Sequence, residues 1–361
     1  MSDLLKTFNL DITALGHLTS AVQFGFILGT LIFAFFGIAD RFAPSRVFFI
    51  CAILGAVFNL GVILENNTLN SLFLWRFLTG FSLAGIYPVG MKIAADHFKE
   101  GLGKSLGYLV GALVLGTAFP HLLKSITGDE GIPWKVVIIT TSVLSIIGGL
   151  LILLFVPSGP YRKARVIADH FAFLKVFRNR KFRAAAFGYF GHMWELYTFW
   201  AFVPVILGVY SLTYRETSLN IPLFSFFIIA SGGLACIAGG YIASRHGLKR
   251  TAGTALALSG ICCAISPLLF LQGSGVLLPV FLIFWGAVVV ADSPLFSTLV
   301  ATNAEGESRG TALTIVNSVG FAITIVSIQL VTYLITLTNP LYIFPILAIG
   351  PAFGLWKLFK K

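Results

Sequence analysis

Residues 17–46 have the sequence HLTSAVQFGFILGTLIFAFFGIADRFAPSR, in which a long apolar run ends in a short basic loop. A helix rises about 1.5 Å per residue, so this run is long enough to cross the ~30 Å hydrocarbon core of a bilayer. Similar runs recur along the chain, and they are continuous rather than alternating in the manner of β-barrel strands. We therefore predict an all-α polytopic membrane protein.

Eleven such runs predict eleven membrane-spanning helices, five in the first half of the chain and six in the second. Their approximate bounds are 17–39, 46–65, 69–95, 103–126, 133–156, 184–209, 219–243, 251–271, 276–300, 310–337 and 340–358.

The composition of the 361-residue chain supports a membrane location. Apolar residue types make up 57% of it, charged types only 11%, and the mean hydropathy is +0.92. Soluble domains contain about 25% charged residues, so this chain has too few charges for an ordinary soluble enzyme or a disordered protein. The cysteines all lie in apolar runs without a C-x-x-C pair, and we interpret them as small buried hydrophobes: Cys51, Cys236, Cys262 and Cys263.

The net charge of +11 indicates orientation rather than nucleic-acid binding. Of the 25 Lys and Arg residues, nineteen follow odd-numbered spans or lie in the C-terminal tail, four lie on the opposite side, and Arg76 and Lys92 lie within span three. Loops rich in Lys and Arg face the cytoplasm. We therefore expect a protein of the plasma or bacterial inner membrane with a cytoplasmic C-terminus.

The longest loop divides the chain into an N-terminal bundle over 1–156, a basic linker over 157–183 and a C-terminal bundle over 184–361. Apolar residues recur in the linker at helical spacing, which predicts an amphipathic helix on the inner membrane surface. The alternative is a solvated linker. The apolar positions are Ile167, Phe171, Leu174 and Phe177.

Two loops indicate an internal repeat. The loop 37–46 follows span one and the loop 240–250 follows span seven, and each opens a short basic hairpin after a glycine-rich helix. Two spans precede this loop in the second half, but one precedes it in the first. We therefore expect a six-helix repeat whose first copy lacks its first helix.

These loops resemble the G-x-x-x-D-R-x-G-R-R hairpin of the major facilitator superfamily. Asp40 and Arg41 match its acidic and first basic positions, whereas Ser244 replaces the acid in the second copy. The segment 76–80, RFLTG, is similar to an R-x-x-x-G element of the same family. The resemblance implies two helix bundles around a central cavity, and secondary transport of a small solute by alternating access.

The resemblance also implies a conformational latch at the ends of the spans, separate from the substrate site. We expect Asp40, Arg41, Asp96 and Arg245 to form it. Lys92 precedes Asp96 by one helical turn, which predicts a local ion pair. The expected partners of the protein are a small solute, the bilayer and a proton if transport is proton-coupled, and we expect a monomer.

Four ionisable residues within the spans are candidates for the substrate or proton pathway: Arg76, His192, Glu195 and Asp292. An ionised side chain in the bilayer core costs about 2.5–3.5 kcal/mol, so such residues need a partner or a function. The alternative for each is a structural contact between helices. Asp292 precedes Pro294, which can open the helix locally.

Secondary candidates are polar or aromatic residues within the spans: Gln23, Tyr189, Trp194 and Asn317. Tyr189, His192 and Glu195 follow each other at intervals of three residues and share a helix face. Neutral polar side chains in membrane helices can instead serve as contacts between helices.

Several other functions remain as alternatives or are disfavoured. A non-transporting remnant or a receptor is the main alternative, because of the missing helix. Nitrate and nitrite porters of this superfamily carry an arginine in the second helix of each half. The corresponding spans here, 17–39 and 219–243, contain no arginine, which disfavours that function. The antiporter signature of the superfamily includes a Gly-Pro pair. Here Ala112, not proline, follows Gly111, which disfavours a drug-type antiporter. We predict no enzyme, metal or cofactor, since neither a P-loop nor a metal-ligand cluster is evident.

Overall fold

The computed structural model describes residues 2–11, 13–98, 101–126, 133–162, 177–214, 219–304 and 309–360. The secondary structure in these ranges is helical and contains no strand. The α-helices are α1 Ser2–Thr7, α2 Thr13–Phe36, α3 Ile38–Arg41, α4 Pro44–Gly61, α5 Leu69–Leu83, α6 Tyr87–His97, α7 Leu102–Ser125, α8 Trp134–Phe155, α9 Arg180–Thr213, α10 Ile221–His246, α11 Leu248–Phe270, α12 Leu277–Ala291, α13 Ser293–Asn303, α14 Arg309–Leu337 and α15 Ile349–Phe359. Two short 3₁₀ turns, Pro340–Tyr342 and Phe344–Ala348, precede α15.

The structure confirms the prediction of eleven spans within the described part of the chain. Three of the spans are not single helices, and the sequence predicted only an opening of span nine at Pro294. Span three consists of α5 and α6, span nine consists of α12 and α13, and the last span consists of the two 3₁₀ turns and α15. Proline is the second residue of both α6 and α13.

Spans three and nine, here called the two broken spans, have the same dimensions. In each, a 15-residue helix is followed by an 11-residue helix. At the second break, Pro294 has no amide hydrogen to donate to the carbonyl of Val290, four residues earlier. The thiol of Cys236 in α10 donates to this carbonyl at 3.2 Å, and the amide of Asp292 also donates to it. At the first break, Gly85 packs tightly against Cys51 of α4.

Contacts divide the chain into two compact units that are not continuous in sequence. Unit 1 contains Met1–Ser105, Pro133–Arg178 and Ala304–Ile325, and unit 2 contains Leu106–Ile132, Asn179–Asn303 and Val326–Lys361. The sequence predicted two repeat copies, as bundles over 1–156 and 184–361 joined by a linker over 157–183. That division stays a prediction.

Glycines allow close helix packing in both units. In unit 1, Gly25 of α2 packs directly on the backbone of Phe77 in α5. In unit 2, a side-chain carbon on Gly111 of α7 would lie 3.0 Å from the carbonyl oxygen of Gly233 in α10. Little room remains for any side chain at these crossings.

The two hairpin loops both turn at a glycine with positive φ. Gly37 has φ of 60° before the short helix α3, and Gly247 has φ of 89° between α10 and α11. Glycine adopts this conformation without the steric cost that a Cβ atom would add. The sequence located both turns correctly.

The start of the linker packs against the end of α6. The amide of Tyr161 donates to the carbonyl of Asp96 at 3.0 Å, and Gly159 lies against the same residue. The positions Ile167, Phe171 and Leu174 of the predicted amphipathic helix lie outside the described residues.

Candidate functional site

Glu195 lies in the interior of unit 2, where α9 packs against α11 and α12. Its side chain is only 1% exposed. Oε1 accepts hydrogen bonds from Trp285 Nε1 at 2.7 Å and Cys263 Sγ at 3.2 Å, and Oε2 accepts one from Ser259 Oγ at 2.9 Å. No Lys, Arg or His side chain of the described ranges forms an ion pair with it. Three neutral donors therefore hold this carboxylate.

Ser259 has a second acceptor within reach. Its Oγ atom lies 3.1 Å from the carbonyl oxygen of Leu256, on the same helix. A hydroxyl has one hydrogen to donate and can accept as well. Ser259 can therefore donate either to Glu195 or to Leu256, and in the second case it can accept a hydrogen bond from a protonated Glu195.

His192 and Asp292 form a second buried polar pair in unit 2. Nδ1 of His192 lies 2.8 Å from Oδ1 of Asp292, and the two side chains are 1% and 0% exposed. Although the two atoms are close, the direction of the ring N–H does not make this contact a well-aligned hydrogen bond. Among the described residues, His192 Nε2 and Asp292 Oδ2 have no hydrogen-bond partner, so the pair retains unused donor and acceptor capacity.

Aromatic side chains enclose this pair. The ring centroids of Tyr189 and Phe296 lie 5.9 and 6.4 Å from that of His192. Asp292 ends α12 and immediately precedes α13. The carboxylate thus sits at the break of span nine, next to Pro294.

Other side chains of α9 contact neighbouring segments or His192. Trp194 is half-buried, and its Nε1 donates to the carbonyl of Ile346 at 3.3 Å. Thr198 shares a 2.6 Å hydrogen bond with Ser327 of α14. Tyr189 is buried beside His192.

Arg76 belongs to unit 1 and lies in a polar network that connects three helices. Its Nη1 contacts Asn59 Oδ1 at 3.5 Å, and Asn59 Nδ2 donates to Ser142 Oγ at 3.0 Å. Gln23 and Asn317 are buried in the same unit. The structure therefore groups His192, Glu195 and Asp292 in unit 2 and places Arg76 in unit 1.

The residues of the expected latch are positioned as follows. Asp96 is buried and pairs with Lys92 at 3.4 Å, which confirms the predicted local ion pair. Arg41 and Arg245 are exposed, and Arg41 forms no ion pair with Asp96. The side chain of Asp40 lies outside the described residues. The latch role stays a prediction.

A family profile described as Major Facilitator Superfamily matches residues 1–328. The chain belongs to the Major Facilitator Superfamily. A search of curated proteins found no significant match. Among solved structures, a mutant of the nucleoside transporter NupG aligns with a TM-score of 0.70 and 15% identity, covering 99% of this chain and 92% of that one. The TM-score and the coverage show a common fold, and the family match makes the chain an integral membrane protein of a secondary-transporter family.

The sequence did not predict the three residues that donate hydrogen bonds to the Glu195 side chain: Ser259, Cys263 and Trp285. They come from positions 64 to 90 residues away, and no local pattern connects them to α9. The cysteines are buried as expected, but Cys236 and Cys263 also act as hydrogen-bond donors. The described residues contain no group of three or more metal-ligating side chains.

Proposed function

We propose that this chain carries a small polar solute across the membrane by alternating access and couples the movement to protons. The observation that carries the proposal is the environment of Glu195, a buried carboxyl group that accepts from three neutral donors and, among the described residues, pairs with no cation. A buried charge without a counter-ion is costly, and protonation removes it.

The hydrogen bonds around Glu195 suit both of its protonation states. When the group is ionised, Ser259 donates to Oε2. When Oε2 carries a proton, that proton is donated to Ser259 Oγ, and Ser259 donates to the Leu256 carbonyl. Trp285 and Cys263 donate to Oε1 in both states. Since neither state leaves a buried donor or acceptor unpaired, the site avoids the usual penalty of changing its charge.

His192 and Asp292 are the proposed second proton site. Among the described residues, Nε2 of His192 and Oδ2 of Asp292 have no hydrogen-bond partner, so each can bind a proton or a polar group. The pair also lies at the break of span nine, so a change in its charge acts where the helix is already interrupted. Proton uptake could thereby be linked to movement of α13.

The proposed solute class follows from Arg76 and from the fold neighbour. A guanidinium recognises planar anions, which favours organic anions such as carboxylates. Nucleosides form the second class, because the aligned NupG structure is that of a nucleoside transporter.

The test is solute flux in proteoliposomes with and without an imposed pH gradient. We expect accumulation that follows the gradient in the unaltered chain and loses this dependence in Glu195→Gln. Glu65→Gln is the matched control, because Glu65 is exposed and, among the described residues, its ion pair is with Lys135 on the surface. Gradient-driven flux that is unchanged in Glu195→Gln would remove Glu195 from the mechanism. Solute binding without flux would favour a receptor.

A further inference from the structure

Three helix ends meet at one end of unit 2: the start of α9, the start of α11 and the end of α15. Arg180 Nη2 donates to the backbone carbonyl of Lys360 at 3.3 Å. Lys249 Nζ lies 5.1 Å from the ring centroid of Phe359, and Gly253 packs against the same ring. These contacts fix the three ends beside one another.

This end, here called the basic rim, concentrates positive charge in three described segments that lack acidic residues. The segments 179–187, 244–253 and 353–360 contain no Asp or Glu. Within the described ranges, none of the rim cations forms an ion pair with a carboxylate, and all but Lys357 are exposed. The cations are Arg180, Lys181, Arg183, Arg245, Lys249, Arg250, Lys357 and Lys360.

Exposed aromatic side chains accompany these cations. Trp356 is 55% exposed and Phe359 is 50% exposed. Lys357 Nζ lies 4.2 Å from the ring centroid of Trp356, and Lys360 Nζ lies 5.0 Å from the same ring. Aromatic rings next to Lys at the end of a span are typical of the depth at which lipid headgroups lie. The rim therefore presents positive charge and apolar surface together.

We propose that the basic rim binds the phosphate of an anionic phospholipid, with Lys249, Lys357 and Lys360 around the phosphate and an acyl chain along Trp356 and Phe359. Charge complementarity carries the choice of partner, because within the described residues the rim cations pair with no carboxylate. The exposed rings favour a lipid over a soluble phosphate, since a soluble ion would leave them uncovered. The binding is independent of the transport mechanism.

The test is native mass spectrometry of the purified full chain in detergent with added phosphatidylglycerol or phosphatidylcholine. We expect retained phosphatidylglycerol adducts in the unaltered chain and about tenfold weaker retention in Lys357→Gln/Lys360→Gln. Lys357→Arg/Lys360→Arg keeps both charges and should keep binding. Lys6→Gln/Arg46→Gln is the matched control, because it removes the same charge from exposed positions in unit 1.

Each competing outcome would overturn the proposal. Equal loss of lipid in the control would mean that net charge alone attracts it. Equal retention of phosphatidylcholine would remove the role of the anionic headgroup, and competition by glycerophosphoglycerol at the same concentration would mean that a soluble phosphate suffices. If Lys357→Gln/Lys360→Gln retains phosphatidylglycerol as well as the unaltered chain does, and its circular dichroism spectrum is unchanged, the basic rim is excluded as the binding site.

Discussion

Nδ1 of His192 lies 2.8 Å from Oδ1 of Asp292, and this contact joins the middle of α9 to the break between α12 and α13. Both side chains are buried, and they approach each other from positions 100 residues apart in the sequence. The pair therefore holds the interrupted span against an uninterrupted helix.

The first prediction concerns the stability of this pair. Removing the imidazole in His192→Ala leaves the buried Asp292 carboxylate without its close partner, so we expect a loss of about 3–5 kcal/mol in unfolding free energy. Asp292→Asn keeps the size of the side chain and leaves no buried carboxylate, so it should cost less. The measurement is equilibrium unfolding in detergent. If the stability losses of the two single variants simply add up in the double variant, the two residues are not coupled.

The second prediction tests the two hydrogen-bonding arrangements of Ser259. In Ser259→Ala, an ionised Glu195 loses one donor and a protonated Glu195 loses its acceptor, so we expect proton-driven flux to fall about tenfold. Ser266→Ala is the matched control, because Ser266 is equally buried on α11 and, within the described ranges, its hydroxyl donates to the Cys263 carbonyl rather than to Glu195. Similar losses in both variants would indicate a general effect on α11.

The third prediction concerns helix crossings. Gly25→Ala places a methyl group into the backbone of Phe77, and we expect it to cost about 1–3 kcal/mol of stability or more. Gly116→Ala should be neutral or stabilising, because nothing lies within 4 Å of its added carbon. Thermal unfolding of both variants in one detergent makes the comparison. Equal stability would show that α2 can move away from α5 at little cost.

The fourth prediction concerns the break in span nine. Pro294→Ala restores an amide hydrogen for the Val290 carbonyl, so we expect a more continuous helix, greater thermal stability and slower flux. Cys236→Ala removes the thiol that now serves this carbonyl and should cost about 1 kcal/mol. Faster flux in Pro294→Ala would mean that the break hinders transport.

The fifth prediction separates the two solute classes through Arg76. Arg76→Gln removes the guanidinium charge, and we expect uptake of organic anions to fall about tenfold or more while nucleoside uptake is retained. Competitive uptake assays with a carboxylate and a nucleoside provide the measurement. Equal loss for both solutes would assign Arg76 to the network with Asn59 rather than to solute recognition.

The spans and the hairpin turns were predictable because they depend on local composition. Runs of apolar residues fix the helices, and Gly37 and Gly247 mark the two turns. The embedded charges His192, Glu195 and Asp292 were also recognisable, since a bilayer makes them costly wherever they occur.

The partners of these charges were not predictable, because contacts between helices depend on how the helices are rotated. Glu195 could not be connected to Ser259, Cys263 or Trp285 from periodicity alone. Pro294 indicated an opening in span nine, but the break in span three was not predicted, because a proline alone does not identify a break. Pro120, Pro204 and Pro267 lie inside continuous helices, whereas Pro88 and Pro294 follow interruptions.

The equal dimensions of the broken spans have a mechanical consequence. A helix of 11 residues, the length of both α6 and α13, is about 16 Å long. A bend of ~20° at its base swings the far end through about 6 Å, a distance comparable to the width of a small solute. Each broken span thus provides a short lever arm that can move without displacing the 15-residue helix before it.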